Sequence, residues 1–234
     1  MGGRGGSYSR GANFSSVLEA QTALNNEGLF KSYVTLMEYD YSNPNDLGTP
    51  VVDLKTANAI YDVVHQIATE FPMLKGTMYC LSPEALSADT YAHCHMYSGE
   101  VNISKKFFSD WDKLSKSVEH DVQSGWHPQG TENPKSIIAH EIGHAIDGYL
   151  TIKKNMFGYT PGGNYKYASS VLRPKVMKAA GYKVSDVGKA VSRYATTNAK
   201  EWFAESFSEY VSSSNPRPAA AAFGRELKKL LKNL

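Results

Sequence analysis

The stretch from Ser136 to Leu150, SIIAHEIGHAIDGYL, constrains this chain more than any other. Ile137, Ile138, Ile142 and Ala145 fit a helix buried within a core. Among them stand His140, Glu141 and His144, which a buried helix does not carry without a polar partner. Four helical steps advance about 400°, so His140 and His144 lie one above the other and can offer two imidazoles to one ion. Glu141 projects about 100° round from His140, placed to address a water rather than to ligate. His-Glu-x-x-His is a zinc-site signature that includes a base. The alternative is a buried helix whose histidines only hydrogen-bond. Two histidines do not complete a site, because catalytic zinc takes three protein ligands and keeps one position open.

The 234 residues allow one large domain or two small ones, with a sizeable core. A net charge of +2 gives no electrostatic case for nucleic acid, and 41% apolar with 21% charged residues describes an ordinary globular chain. Cys80 and Cys94, the two cysteines, imply no disulfide framework; they read as buried thiols, with one disulfide as the alternative. No window has the apolar length to cross a membrane, and the N-terminus lacks the apolar core of a secretory signal. The expectation is an intracellular or virion-associated protein, or one exported without a cleaved signal.

Residues 1–15 read as a flexible Gly/Ser-rich arm, whose Arg-Gly character offers an RNA-binding alternative. Residues 16–48 read as an N-terminal extension, with a helix from Val17 to Leu24 and a turn at Asn43-Pro44-Asn45-Asp46. Residues 49–234 form the main domain. Thr49 and Pro50 are expected to open a helix that Phe71-Pro72 ends, carrying His65 as a structural histidine. Three strands are expected, at 76–81, 90–97 and 100–104, the last two joined by Ser98-Gly99 as a two-residue turn. His93 and His95 fall on one face of the middle strand, either as a rival metal pair or as part of a substrate-facing strip with Tyr91 and Tyr97.

A helix over Asp110 to Val122 leaves His120 and Asp121 exposed. His127, in the loop before the metal-site helix, reads as stacked on Trp126, within possible reach of the site. Asn133-Pro134 supplies that helix's cap and start. Residues 155–165 form a loop at a cleft edge, and a helix over 170–180 is interrupted at Pro174. Asn198 caps a helix to about Val211, putting Glu201, Glu205 and Glu209 on one face. That face is either solvated or turned to a cation. The tail from Pro218 to Leu234 is an amphipathic helix that docks through Phe223, Leu227, Leu230, Leu231 and Leu234; a partner or membrane surface for its basic face is the alternative.

Glu201 lies 57 residues after His144, far enough for a second helix to fold back on the first. A His-Glu-x-x-His helix with a distant helical Glu is the layout of the glutamate-zincin peptidases. Tyr194-x-x-Thr197-Asn198-x-x-Glu201-x-Phe203-Ala204-Glu205-x-Phe207 resembles the corresponding segment of the anthrax lethal factor catalytic domain family. The resemblance covers roughly residues 134–211. It implies Glu201 as the third zinc ligand, Glu141 as general base and Tyr194 as oxyanion donor, with Glu205 as a partner of a ligand histidine. Asp147 either orients a neighbour or is a surface acid. The Gly-rich start and the Gly-Trp-His-Pro-x-Gly-Thr lead into the motif also resemble zincin domains found with bacteriophage minor head proteins.

These readings imply an α+β fold of zincin type, a small sheet against the motif helix and a mainly helical C-terminal part. The implied activity is a zinc-dependent endopeptidase acting on a protein or peptide, with a virion or host protein as a further partner. The alternative is a catalytically silent zinc-binding structural or interaction protein of a phage virion. An intact Glu141 speaks against it, since a structural site needs no base.

Overall fold

The computed structural model describes residues 11–234; most of the expected arm, residues 1–10, lies outside them. Its last residues are held on the body, where the Ala12 N–H donates to Asp62 at 2.7 Å and the Phe14 N–H to Asn58 at 2.8 Å. The chain is α+β, with two small sheets and a helical C-terminal part. Helix α1 (Val17–Asn26) packs on α2 (Leu54–Glu70), and Leu24, Leu29, Val34 and Leu36 join the same hydrophobic core as the later helices.

Thr49–Pro50 does not open α2. It forms strand β2, paired antiparallel with β1 (Met37–Glu38), and the helix starts at Leu54. The reason is Asp53, whose carboxylate caps the Thr56 N–H at 2.7 Å and also accepts from the Trp111 N–H. His65 is structural, bonded to Glu27 at 2.8 Å and stacked on Tyr61.

The main sheet runs β3 (Cys80–Glu84), β5 (Glu100–Ser104), β4 (Ala92–His95), so the outer edge of β4 is unpaired among the described residues. β3 starts four residues later than the expected strand because its register follows the parallel partner, Cys80 opposite Glu100. The turn between β4 and β5 spans four residues, 96–99, closed by the Gly99 N–H on the His95 carbonyl at 2.8 Å. Gly99 there sits at φ +77°, a conformation that costs other residues more. Cys80 and Cys94 are free thiols.

After α3 (Lys105–Phe108) and α4 (Trp111–Gln123) comes the motif helix α5 (Lys135–Gly148), continued by a π-helical turn at Tyr149–Lys153. Asn133 accepts from the Lys135 N–H at 2.9 Å at its start. Helix α6 (Ala168–Ala179) runs unbroken through Pro174, so the expected interruption is absent. Burial of Leu172, Val176 and Met177 on both sides of the proline holds it as one helix. The short α7 (Val187–Ala190) precedes α8 (Ala199–Ser212), capped by Asn198 on the Lys200 and Glu201 N–H groups. Helix α9 (Pro218–Leu231) docks on α8 and α6, burying Phe223, Leu227 and Leu231; Leu230 is partly buried and Leu234 is exposed.

Among the described elements, the most extensive packing is α5 on α8. Gly143 permits it: a Cβ built there would stand 2.9 Å from Ala204 Cα and 3.3 Å from Phe207 Cβ. Gly148 does the same for the turn after β4, where a Cβ would collide with the Met96 carbonyl. Gly143→Ala should therefore cost about 1–3 kcal/mol by forcing the two helices apart, read as a lowered Tm in calorimetry. Gly162→Ala, with 3.9 Å to its nearest neighbour, should stay within about 0.5 kcal/mol. Equal effects of the two would mean that the α5–α8 contact is not tight.

Candidate active site

Helices α5 and α8 bring three side chains to one point. His140 Nε2 and His144 Nε2 are 3.1 Å apart, and Glu201 Oε2 lies 3.2 Å from the first and 3.1 Å from the second. These three atoms form the metal-capable group found among the described residues. Ligand atoms on a tetrahedral zinc, at about 2.0–2.1 Å from the ion, stand about 3.3 Å from one another. The triangle is close to that size.

The protonation pattern also favours a cation. His140 donates through Nδ1 to Glu205 Oε1 at 2.7 Å, which leaves the Nε2 lone pair facing a carboxylate and a second imidazole. Burial alone would lower the His140 pKa, yet hydrogen bonds to Glu201 and Glu205 outweigh it and raise it well above its ordinary value. A proton is thus what balances these acids without an ion. Burial would raise Glu201, but the hydrogen bonds from His140 and His144 hold it well below the usual carboxylate range. The His144 Nδ1 is buried with no hydrogen-bond partner among the described residues.

Glu205 is the organising acid. Its Oε1 also accepts from His127 Nδ1 at 3.0 Å, and its Oε2 accepts from Ser192 at 2.7 Å. Ser192 Oγ in turn accepts the Ala195 N–H at 3.1 Å, fixing the turn that carries Tyr194. His127, read from sequence as stacked on Trp126, is instead part of the site; Trp126 stacks on Tyr194 at 5.1 Å, and Tyr194 stacks on His140 at 5.8 Å. A further register pins this loop, the Tyr194 N–H donating to the Trp126 carbonyl at 3.1 Å. Its place just before the motif helix put His127 within reach of the site in the sequence, but only the fold brings it to Glu205.

Glu141 is buried beside His140 and His144 and lines a cleft of about 760 Å³ together with His140, His127 and Tyr194. Burial raises its pKa, partly offset by the electrostatic influence of His140 and His144. The Tyr194 hydroxyl is raised by burial and then by Glu201, Glu141 and Glu205, so it stays protonated as a donor. The third acid of the α8 face is not at the site: buried Glu209 is bound by Arg217 at 2.9 and 2.7 Å. Asp147 is not a surface acid. It is fully buried, accepts the Ser169 N–H at 2.9 Å and joins α5 to α6. Burial raises its pKa against the hydrogen bonds from Ser169.

His93 and His95 share a face of β4 with Nε2 atoms 3.0 Å apart, without a third ligand among the described residues. Comparison with protein-family models, curated proteins and solved structures returned no match.

Burial opposes ionisation of Glu205, but its hydrogen bonds from His127 and His140 hold its pKa down at about 2, from an ordinary 4.5. A depressed folded pKa contributes stability that is present above the ordinary value and lost as pH falls through the folded one. In chelator-treated protein, stability should therefore decline between pH 4.5 and about 2, and Glu205→Gln should flatten that decline in urea unfolding. An identical acid slope in the variant would remove Glu205 as its source. His140 has the opposite sign: its contribution is complete below pH 6.5 and is lost as pH rises through its raised value.

Proposed function

We propose that this protein is a zinc-dependent endopeptidase of the glutamate-zincin type, similar in its site to the anthrax lethal factor catalytic domain family. One observation carries the reading: His140, His144 and Glu201 converge at zinc-ligand spacing with the carboxylate of Glu141 buried beside them on an open cleft. The donor set of two imidazoles and one carboxylate suits zinc, and it leaves one position for water or substrate. Zinc held there would supply Lewis acidity, polarising a peptide carbonyl and making water acidic enough to deprotonate near neutral pH.

The remaining chemistry belongs to the chain. Glu141, with its pKa pushed up by burial, is suited to take the proton of the attacking water and return it to the leaving amine. Tyr194, held by its stack between Trp126 and His140, donates its phenolic hydrogen to the oxyanion. Glu205 orients His140 through Nδ1, so that Nε2 faces His144 and Glu201 and would be free to hold the ion, and it increases the basicity of the imidazole. The edge strand β4 borders the cleft through Ala92, and Thr90 and Tyr91 precede it along the same wall. An extended substrate laid along this edge would complete the sheet's hydrogen bonding.

Metal analysis with a peptide-library cleavage assay tests the reading. Wild type should carry one zinc and cleave; Glu141→Ala should keep the zinc and lose at least about 10²-fold in kcat. A wild type without zinc, or a variant that cleaves equally well, would sink it. Glu201→Ala should lower zinc occupancy more than Glu205→Ala, and the reverse order would exchange their roles. Tyr194→Phe should reduce kcat about 10²-fold with little change in KM; a loss confined to KM would make Tyr194 a binding residue only.

A further inference from the structure

The far side of the cleft is not used by the chemistry above. Beyond His140 and Glu141 its floor is apolar, formed by Phe107 and Ile137, which are 8% and 4% exposed. Its wall carries a hydrogen-bonded trio in which the Tyr91 hydroxyl donates to Asp121 Oδ2 at 2.7 Å and lies 2.5 Å from Ser117 Oγ. Asp121, expected from sequence to be exposed, is therefore drawn into the cleft, its side chain 25% exposed. Burial in first place and then Asp121 push the Tyr91 hydroxyl up to about 12, the Ser117 hydrogen bond opposing them, so it remains a neutral hydroxyl.

The charge on Asp121 is under-matched. Its nearest basic group is His120, whose Nδ1 is 3.5 Å from Oδ1 on an imidazole that is 81% exposed. Arg193 is the guanidinium on the cleft lining, and it is held elsewhere on that lining: it lies over Trp126 at 5.5 Å and donates to the Ser124 carbonyl at 3.3 Å, with no ion pair to Asp121. Exposed Asp89 adds a second negative charge to the lining. An apolar floor with a carboxylate and two hydroxyl oxygens at its wall matches one side-chain chemistry, a methylene stem ending in a cation.

We propose that this pocket is a subsite for a lysine or arginine side chain of the peptide, close to the bond that is cut; the inference rests on the peptidase reading. The stem would cover Phe107 and Ile137, while the head would reach Asp121, with the Tyr91 and Ser117 oxygens as further acceptors. A glutamate there would meet Asp121 with like charge. A neutral apolar side chain would cover Asp121 without pairing it, and both are disfavoured.

The test separates binding from hydrolysis. Zinc-loaded Glu141→Ala protein is titrated by fluorescence anisotropy with labelled hexapeptide pools that carry lysine, arginine, norleucine or glutamate at each position in turn. Wild type digests the same pools, with products read by mass spectrometry. At one position lysine and arginine should bind about 10-fold or more tighter than norleucine, and glutamate should bind weakest. Asp121→Asn, which keeps an acceptor for Tyr91, should abolish that preference while leaving norleucine binding unchanged, and Asp121→Lys should turn it towards glutamate. No binding by the basic pools, equal binding across the series, or a basic preference that survives both substitutions overturns the assignment. Basic-selective binding that depends on Asp121 without any cleavage by wild type would keep the pocket and remove the peptidase reading. Cleavage without basic preference would do the reverse.

Discussion

The site depends on how closely α5 approaches α8. At Gly143 the two backbones come near enough that a single methyl group would collide with Ala204. That approach places residues four apart on one helix opposite residues four apart on the other: His140 and His144 face Glu201 and Glu205. Ser208 adds a lateral tie, donating to the Ser136 carbonyl at 2.8 Å. Apolar side chains are buried around these groups, with Trp202, Phe203 and Phe207 fully buried. Charges held in such surroundings interact far more strongly than they would in water.

That strength cuts in both directions. A fully buried carboxylate such as Glu205 is costly unless its lone pairs are taken, and here three donors take them: His140, His127 and Ser192. Each donor comes from a different segment, so one acid fixes the motif helix, the loop before it and the turn bearing Tyr194. The aromatic stack of Trp126, Tyr194 and His140 reinforces the same three segments. Positioning of the hydroxyl and positioning of the imidazole are consequently one structural event.

Much of this was legible in the sequence because it follows from helical period alone. The spacing of His140, Glu141 and His144, the Asn198 cap and the i, i+4 row of Glu201 and Glu205 all follow from 3.6 residues per turn. Elsewhere long-range contacts override local preference. Thr49-Pro50 carries a good helix-start signal, yet the pairing with Met37 and the Asp53 cap move the start to Leu54. Pro174 has a strong local penalty, and burial on both its flanks holds the helix together. Glu209 looked equivalent to Glu205 on its helix; its assignment to Arg217 depends on a chain reversal that no periodicity encodes.

By itself the sequence determined the two helices, the chemistry they carry and the residue types able to hold a metal, because those properties are local and periodic. The tertiary structure decided which acids meet which bases. It drew His127 and Ser192 to Glu205, buried Asp147 against the start of α6, held Arg193 on the Ser124 carbonyl and drew Asp121 into the cleft. Those assignments belong to residues separated by up to 78 positions. They are set by the close packing of apolar surfaces, which fixes the distances between the charges carried on them.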